Sequence, residues 1–171
     1  MTIDDIIRFK GNNPTFLRKV IFLVDYILRT WLISFIIRSM PSNVVPFLHR
    51  IRGVRLGKGC LIHPTAFLDS TFPEKIKLGN RVYIATNSCI IAHFHSTPKL
   101  KEYYKEDYVQ DVEIGDEVFI GPNVTILPGT RIGEVTLIVA GAVVSQSIPP
   151  FSVVAGNPAR LINSLREKVS E

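Results

Sequence analysis

From residue 114 to residue 144 an aliphatic side chain recurs at every sixth position without a slip: Ile114, Ile120, Ile126, Ile132, Ile138 and Val144. Gly follows at 115, 121 and 133, and a small or β-branched residue falls four after each aliphatic: Val118, Val124, Thr130, Thr136, Ala142. Neither the helical period of 3.6 nor the strand period of 2 produces this spacing. The beat starts earlier, at Leu56, Ile62 and Leu68, is delayed to Leu78 by a four-residue insertion, and continues through Ile84 and Ile90. The interval from Ile90 to Ile114 is again a multiple of six, with a charged, Tyr-rich excursion inside it. Repeats of this kind mark a solenoid.

The period has a physical meaning. Each hexad makes one short strand and one turn, and three hexads close a triangular coil. The aliphatic residue points inward and stacks on its equivalent one coil later, while Gly, Asn and Asp supply turn conformations that bulky residues resist. About twelve beats make about four coils, a prism of ~20 Å at ~4.8 Å per stacked strand. The fold class is therefore all-β, a parallel β-helix over residues 55–157 with a loop at 93–111 protruding from it.

The first third of the chain is different. Residues 1–58 carry ten Lys/Arg against Asp4, Asp5 and Asp25, so the whole positive excess of the +5 chain lies there. The same third holds the most apolar stretch, from Val20 to Ile37. Its length approaches a bilayer span, but Asp25 and Arg29 interrupt it and would be costly at the membrane centre. Four apart, they share a helix face and can pair. The opposite face carries Phe22, Leu23, Tyr26, Ile27, Ile33 and Ile37, with Trp31 near the boundary and Arg18, Lys19 and Arg38 flanking. Such a helix fits the plane of an anionic membrane surface, and the alternative is packing on its own domain or a neighbouring subunit. A second short apolar stretch runs from Val44 to about Ile51. Residues 1–54 thus form an N-terminal amphipathic helical segment. No groove-reading or aromatic-interleaved basic motif points to nucleic acid. Cys60 and Cys89 form no CxxC pair and no leader with a cleavage site is apparent, so the expected place is the cytoplasm, peripherally at the inner face of the cytoplasmic membrane.

The hexads, the interrupting loop and the closing stretch IPPFSVVAGNPARLI resemble the hexapeptide-repeat acyltransferase family, and within it the O-acetyltransferases that act on sugars and surface polysaccharides. The resemblance covers residues 56–165. It implies left-handed coils, against the general right-handed rule for crossovers. It further implies a homotrimer with sites between adjacent prisms, acetyl-CoA as donor substrate, no metal, and a glycan or lipid-linked sugar as acceptor.

A sugar hydroxyl must lose a proton as it attacks the thioester, and His is suited to accept one near neutral pH. The resemblance puts that His at the root of the loop, where CIIAHFHSTPK offers His93 and His95. Counted from Ile90, His93 holds the register of relatives reading Ala-His-Asp, and His95 that of another subgroup; His93 is favoured. Phe94 stands where many relatives carry Asp; if that Asp orients the imidazole, another carboxylate or a backbone carbonyl must replace it, with Asp107, Asp111 and Glu113 as candidates. Ala85 stands where sugar-acetylating relatives often carry Asn, which points to a different acceptor pocket; Asn87 reads as a turn residue. For the donor, Ala140, Gly141 and Ala142 are expected to let the pantetheine arm lie on backbone. Asn157 as N-cap and Pro158 as first residue predict a short C-terminal helix over 158–171. Arg160 in its first turn, with Lys168 as a second cation, is then expected to meet a phosphate of coenzyme A. His49 and His63 read as structural or surface residues. Two other functions share this fold: a zinc hydratase resembling γ-type carbonic anhydrase, which the His spacing fits poorly, and a non-catalytic trimeric scaffold.

Overall fold

The computed structural model describes residues 16–28, 32–104 and 107–166. Arg29, Trp31 and Lys168, and the side chains of Arg18, Lys19 and Phe22, lie outside the described residues. Two helices, α1 (Phe16–Ile27) and α2 (Ile33–Ile37), take up the long apolar run, and α3 (Val45–Arg52) follows. Pro46 in its first turn fits the start of α3, and Gly53 at φ +107 ends it. From α1 to α3 large apolar side chains face outward, Phe35 at 75% and Phe47 at 60% exposure among them.

The repeat then begins. The first coil is β1 (Arg55–Leu56), β2 (Leu61–Ile62) and β3 (Phe67–Leu68). The second is β4 (Ile76–Leu78), β5 (Tyr83–Ile84) and β6 (Cys89–Ile90). After a hairpin of β7 (His93–Phe94) and β8 (Tyr108–Val109), linked through the short helix α4 (Pro98–Lys101), the third coil is β9 (Val112–Ile114), β10 (Phe119–Ile120) and β11 (Thr125–Ile126). The fourth is β12 (Arg131–Ile132), β13 (Leu137–Ile138) and β14 (Val143–Val144). Ile148 bridges to Ile132 and β15 (Ser152–Ala155) pairs with β13, so a partial fifth coil closes the prism.

Three sheets form the walls, ordered β1-β4-β9-β12, β2-β5-β10-β13-β15 and β3-β6-β11-β14, with every pair in them parallel. Register follows the beat: Ile62 pairs with Ile84, Ile84 with Ile120 and Ile120 with Ile138. All these beat residues are buried, as are Val118, Val124, Thr130, Thr136 and Ala142, so each hexad drops two side chains into the core.

Glycine in the repeat serves two separate ends. Three residues before the beats the backbone is left-handed, with φ of +51 to +80 at Arg81, Asn87, Glu117, Asn123, Gly129, Val135 and Gly141. Most of these are not Gly. The glycines that directly follow a beat answer a different need, close approach of the next coil. A Cβ on Gly121 would stand 2.7 Å from the Ala140 nitrogen and 2.8 Å from the Ile138 oxygen.

The chain end corrects the expected C-terminal helix. Residues Arg160–Ser164 form β16, which turns back at Gly156 (φ +96) and pairs antiparallel with β15. The last parallel strand would otherwise present an open edge, and a hairpin strand satisfies its backbone groups where a helix begun at Asn157 could not. The Asn157–Pro158 peptide is cis.

Candidate active site

A triangular prism has three corners, and the candidate residues divide among them. The walls of β3, β6, β11 and β14 lead to the β1 wall through one corner, and His93 and His95 emerge there, in the hairpin that interrupts the repeat. Ala140, Gly141 and Ala142 lie between β13 and β14, at the preceding corner. Within one protomer the base candidates and the donor candidates are therefore not brought together.

His93 pairs with Val109 across the hairpin and its ring is partly exposed, at 27%. Its Nδ1 lies 2.5 Å from Oδ2 of Asp69, and the Phe72 ring stands 5.5 Å from its centroid at 60°. Asp69 follows the beat at Leu68, one coil below, and is completely buried. Its Oδ1 accepts from the N–H groups of Thr71 (2.9 Å) and Phe72 (3.1 Å), and its Oδ2 from the N–H of Ala92 (2.9 Å) as well as from His93. Burial pushes the Asp69 carboxyl up, but the His93 hydrogen bond and the N–H groups of Ala92 and Phe72 outweigh it and hold the group below the ordinary carboxylate range. A carboxylate accepting from Nδ1–H leaves Nε2 with its lone pair, the form a general base needs.

Asp69 was not among the carboxylates expected to orient the base. Asp111 is engaged by Lys77 at 2.6 Å and Lys75 at 3.1 Å, and Glu113 by Lys77 at 2.8 Å and Arg131 at 3.3 Å. Those lysines hold both acids below their ordinary values, and on the outer sheet face neither reaches an imidazole. Only Asp107 meets a histidine, His95, with Oδ2 3.0 Å from Nδ1. The same oxygen accepts from Lys101 at 2.7 Å and Oδ1 accepts from the Ser96 N–H at 2.8 Å. Lys101 first, then the Ser96 N–H, bring the Asp107 carboxyl down to about 2. An ammonium on the same oxygen already balances that charge, so Asp107 has less to offer an imidazole than Asp69 has. A signal for Asp69 did exist in the sequence. Asp69-Ser70-Thr71 follows a beat and opens the insertion, an Asx turn in which Oδ1 takes the N–H groups of Thr71 and Phe72. Phe94, at the position of the missing Asp, stacks on Tyr108 at 5.2 Å and meets Tyr104 edge-on at 6.0 Å, packing the hairpin.

Of the donor candidates, Ala140 and Gly141 are exposed and Ala142 is buried in the core. The N–H of Gly141 donates to Pro122 of the preceding coil and that of Ala142 to Val139 of its own turn, so both N–H groups are engaged within the prism. Val143 donates to Gly156, and Ala159 donates to Val143, which brings the turn carrying Arg160 beside this stretch. Arg160 is exposed at the start of β16, with Nη1 donating to the Ala159 oxygen at 2.9 Å. A groove of about 420 Å³ opens at the same corner two coils lower, lined by Leu61, His63, Tyr83, Ala85, Thr86 and Phe119 among others. Among the described residues no three His, Cys, Asp or Glu side chains converge on a possible metal position, and no helix is long and apolar enough to cross a membrane.

Residues 111–146 match the model of the bacterial transferase hexapeptide (six repeats). The chain is 38% identical over 115 residues to YvoF of Bacillus subtilis, a protein provisionally named as an acetyltransferase, over 67% of this chain and 62% of that one. It is 34% identical over 93 residues to the galactoside O-acetyltransferase of Escherichia coli, over 54% of this chain and 46% of that one. Among solved structures, a maltose O-acetyltransferase from Clostridium difficile superposes with a TM-score of 0.61 at 27% identity, covering 85% of this chain and 89% of that one. The matched region thus spans less than two thirds of the length of these curated relatives. The parallel walls and the hexad match together fit a left-handed β-helix.

Proposed function

We propose that this chain is a member of the hexapeptide-repeat family of bacterial transferases and moves an acetyl group from acetyl-CoA to a hydroxyl of a sugar, with His93 as the general base. The observation that carries this reading is the buried Asp69 carboxylate 2.5 Å from His93 Nδ1. Nε2 of His93 takes the proton of the acceptor hydroxyl as its oxygen attacks the thioester carbon. The C–S bond then breaks, and the proton passes from Nε2 to the leaving thiolate. Asp69 keeps the ring in the tautomer with Nε2 unprotonated and stabilises the imidazolium formed in passing.

Relatives named as galactoside and maltose O-acetyltransferases support a sugar acceptor. Separation of the base corner from the donor corner supports a homotrimer, in which one protomer's His93 faces another's Ala140, Gly141 and Arg160. Arg160 would offer its guanidinium to a phosphate of the donor, and Lys168 is proposed as a second cation. Polysaccharide or lipid-linked glycan synthesis, with α1–α3 against an anionic membrane, is the setting proposed for the reaction.

The test is a transfer assay with acetyl-CoA and a panel of sugars, following thiol release and the mass of the acetylated acceptor. His93→Ala should lower turnover by at least ~100-fold with acetyl-CoA affinity nearly intact. His95→Ala should cost clearly less. A reversed order assigns the base to His95, and full turnover in both variants removes the His mechanism.

A further inference from the structure

Among the described residues two side chains with a formal charge are buried, Asp69 at 0% and Arg52 at 3% exposure, and they belong to one network. Arg52 is the last residue of α3, outside the repeat. Its Nη2 donates to the backbone oxygens of Leu68 (3.1 Å) and Asp69 (3.3 Å), and its Nη1 lies 3.1 Å from Nδ1 of His49, one turn earlier on the same helix. No direct hydrogen bond joins the guanidinium to the Asp69 carboxylate; the two charges interact through space and through the backbone Arg52 grips. A buried cation and a buried anion each carry a heavy desolvation cost, and each offsets part of the other's. The anion is also the partner of the proposed base.

We propose that Arg52, carried to the site by α3, is a positioning residue for the base: it balances the charge of Asp69 and fixes the backbone that aims it, so that docking of α3 sets how readily His93 takes a proton. This rests on the reading of His93 as the base. The remaining groups facing the network are few. Asp69 also faces the half-buried Cys89 thiol, which burial and then Asp69 push above its ordinary value and so keep neutral. His93 is faced by Phe72 from below and by Val109 across the hairpin. His95, Asp107 and Lys101 form a separate set farther along the same hairpin. His49 is kept neutral, brought down to about 3 by burial and then by Arg52. Among the described residues Arg52 is therefore the one buried cation beside Asp69.

With Arg52→Met the unopposed Asp69 carboxylate should hold an imidazolium more tightly. The acid limb of the acceptor-dependent rate should move to higher pH by about one unit, roughly a fivefold loss at the pH of the original midpoint and about tenfold well below it. Arg52→Lys, which keeps the charge, should restore most of it. A lower rate at every pH with an unmoved limb overturns the proposal, since that is what a merely structural role would give. NMR titration of the His93 ring in the full chain, assigned against His93→Ala, reads the same shift without turnover. Should His93 prove not to be the base, a moved ring titration still supports the coupling to Arg52, and an unmoved one overturns it. If Arg52→Met does not fold, the neutral pair Arg52→Met/Asp69→Asn should fold more stably than Arg52→Met alone; a double variant no more stable than the single overturns the charge balance.

Discussion

At the scale of single residues, Asp69 carries the most consequence for the least signal. It accepts four hydrogen bonds while completely buried, so its carboxylate is a fixed point around which a turn, a strand end and an imidazole are arranged. Asp69→Asn should separate these roles. An amide nitrogen facing Nδ1 donates where the carboxylate accepted, which drives the proton to Nε2 and removes the base's lone pair. Turnover should fall by at least ~100-fold with the Michaelis constant for acetyl-CoA unchanged, and stability should fall too because the Ala92 N–H at the substituted oxygen loses its acceptor. Turnover in Asp69→Asn equal to the unsubstituted chain would show that the dyad is not used. At Asp107 the same change meets a carboxyl already shared with Lys101, and the effect should be smaller.

At the scale of elements, α3 is unusual in burying a histidine and an arginine while showing Phe47, Arg50 and Ile51 to the outside. His49 gives this helix a predictable pH response. Burial, then Arg52, bring its folded-state value from 6.5 to about 3, so the unfolded chain binds a proton that the folded chain refuses. The His49 contribution is thus complete above about 6.5 and is lost progressively as pH falls toward about 3. The slope is about 1.4 kcal/mol per pH unit within that window. His49→Asn keeps an acceptor for Arg52 but cannot titrate, and denaturant melts should show its stability flatter than that of the unsubstituted chain between pH 6.5 and 4.5. Equal slopes in the two proteins would mean that His49 is solvated or protonated in the fold. The beat of the repeat was legible because burial in a triangular coil demands one side-chain type at one spacing, and Ile114 to Val144 meet that demand in order. The C-terminal hairpin was not legible, because Asn157-Pro158 satisfies a helix start locally and only the open edge beside β15 favours a strand.

For the molecule as a whole, charge and apolar surface are segregated. From residue 32 to residue 68 there is no acidic residue, while Arg38, Arg50, Arg55 and Lys58 are exposed, as are Leu32, Phe35, Phe47 and Ile51. An anionic bilayer satisfies both features of that surface. The full chain should therefore sediment with anionic liposomes and not with zwitterionic ones, and high salt should weaken the association because the Debye length shortens. Phe35→Ser/Phe47→Ser should weaken it with little effect on folding, since both rings already face solvent. Equal sedimentation with both lipid types, or none with either, would remove charge-assisted membrane docking and leave packing on another subunit as the role of these helices.

The sequence by itself determined what is periodic. The inward positions, the three walls and the place where the hairpin leaves the coil all follow from a spacing of six, because stacking one coil on the next repeats the same local demand. It also determined which two histidines stand at the root of that hairpin. Which acid each histidine would meet depended on the tertiary structure, since Asp69 and His93 are neighbours only after a full coil with its insertion has closed. The same holds for the glycines: those after the beats are required by the backbone of the following coil, as at Gly121 against Ala140, a contact that exists only once the coils are stacked. Arg52 is the furthest case, since helix periodicity marks it only as the basic end of α3. What makes it part of the site is burial against the chain at Leu68 and Asp69, and a pairing of charges across two elements leaves no trace in local spacing.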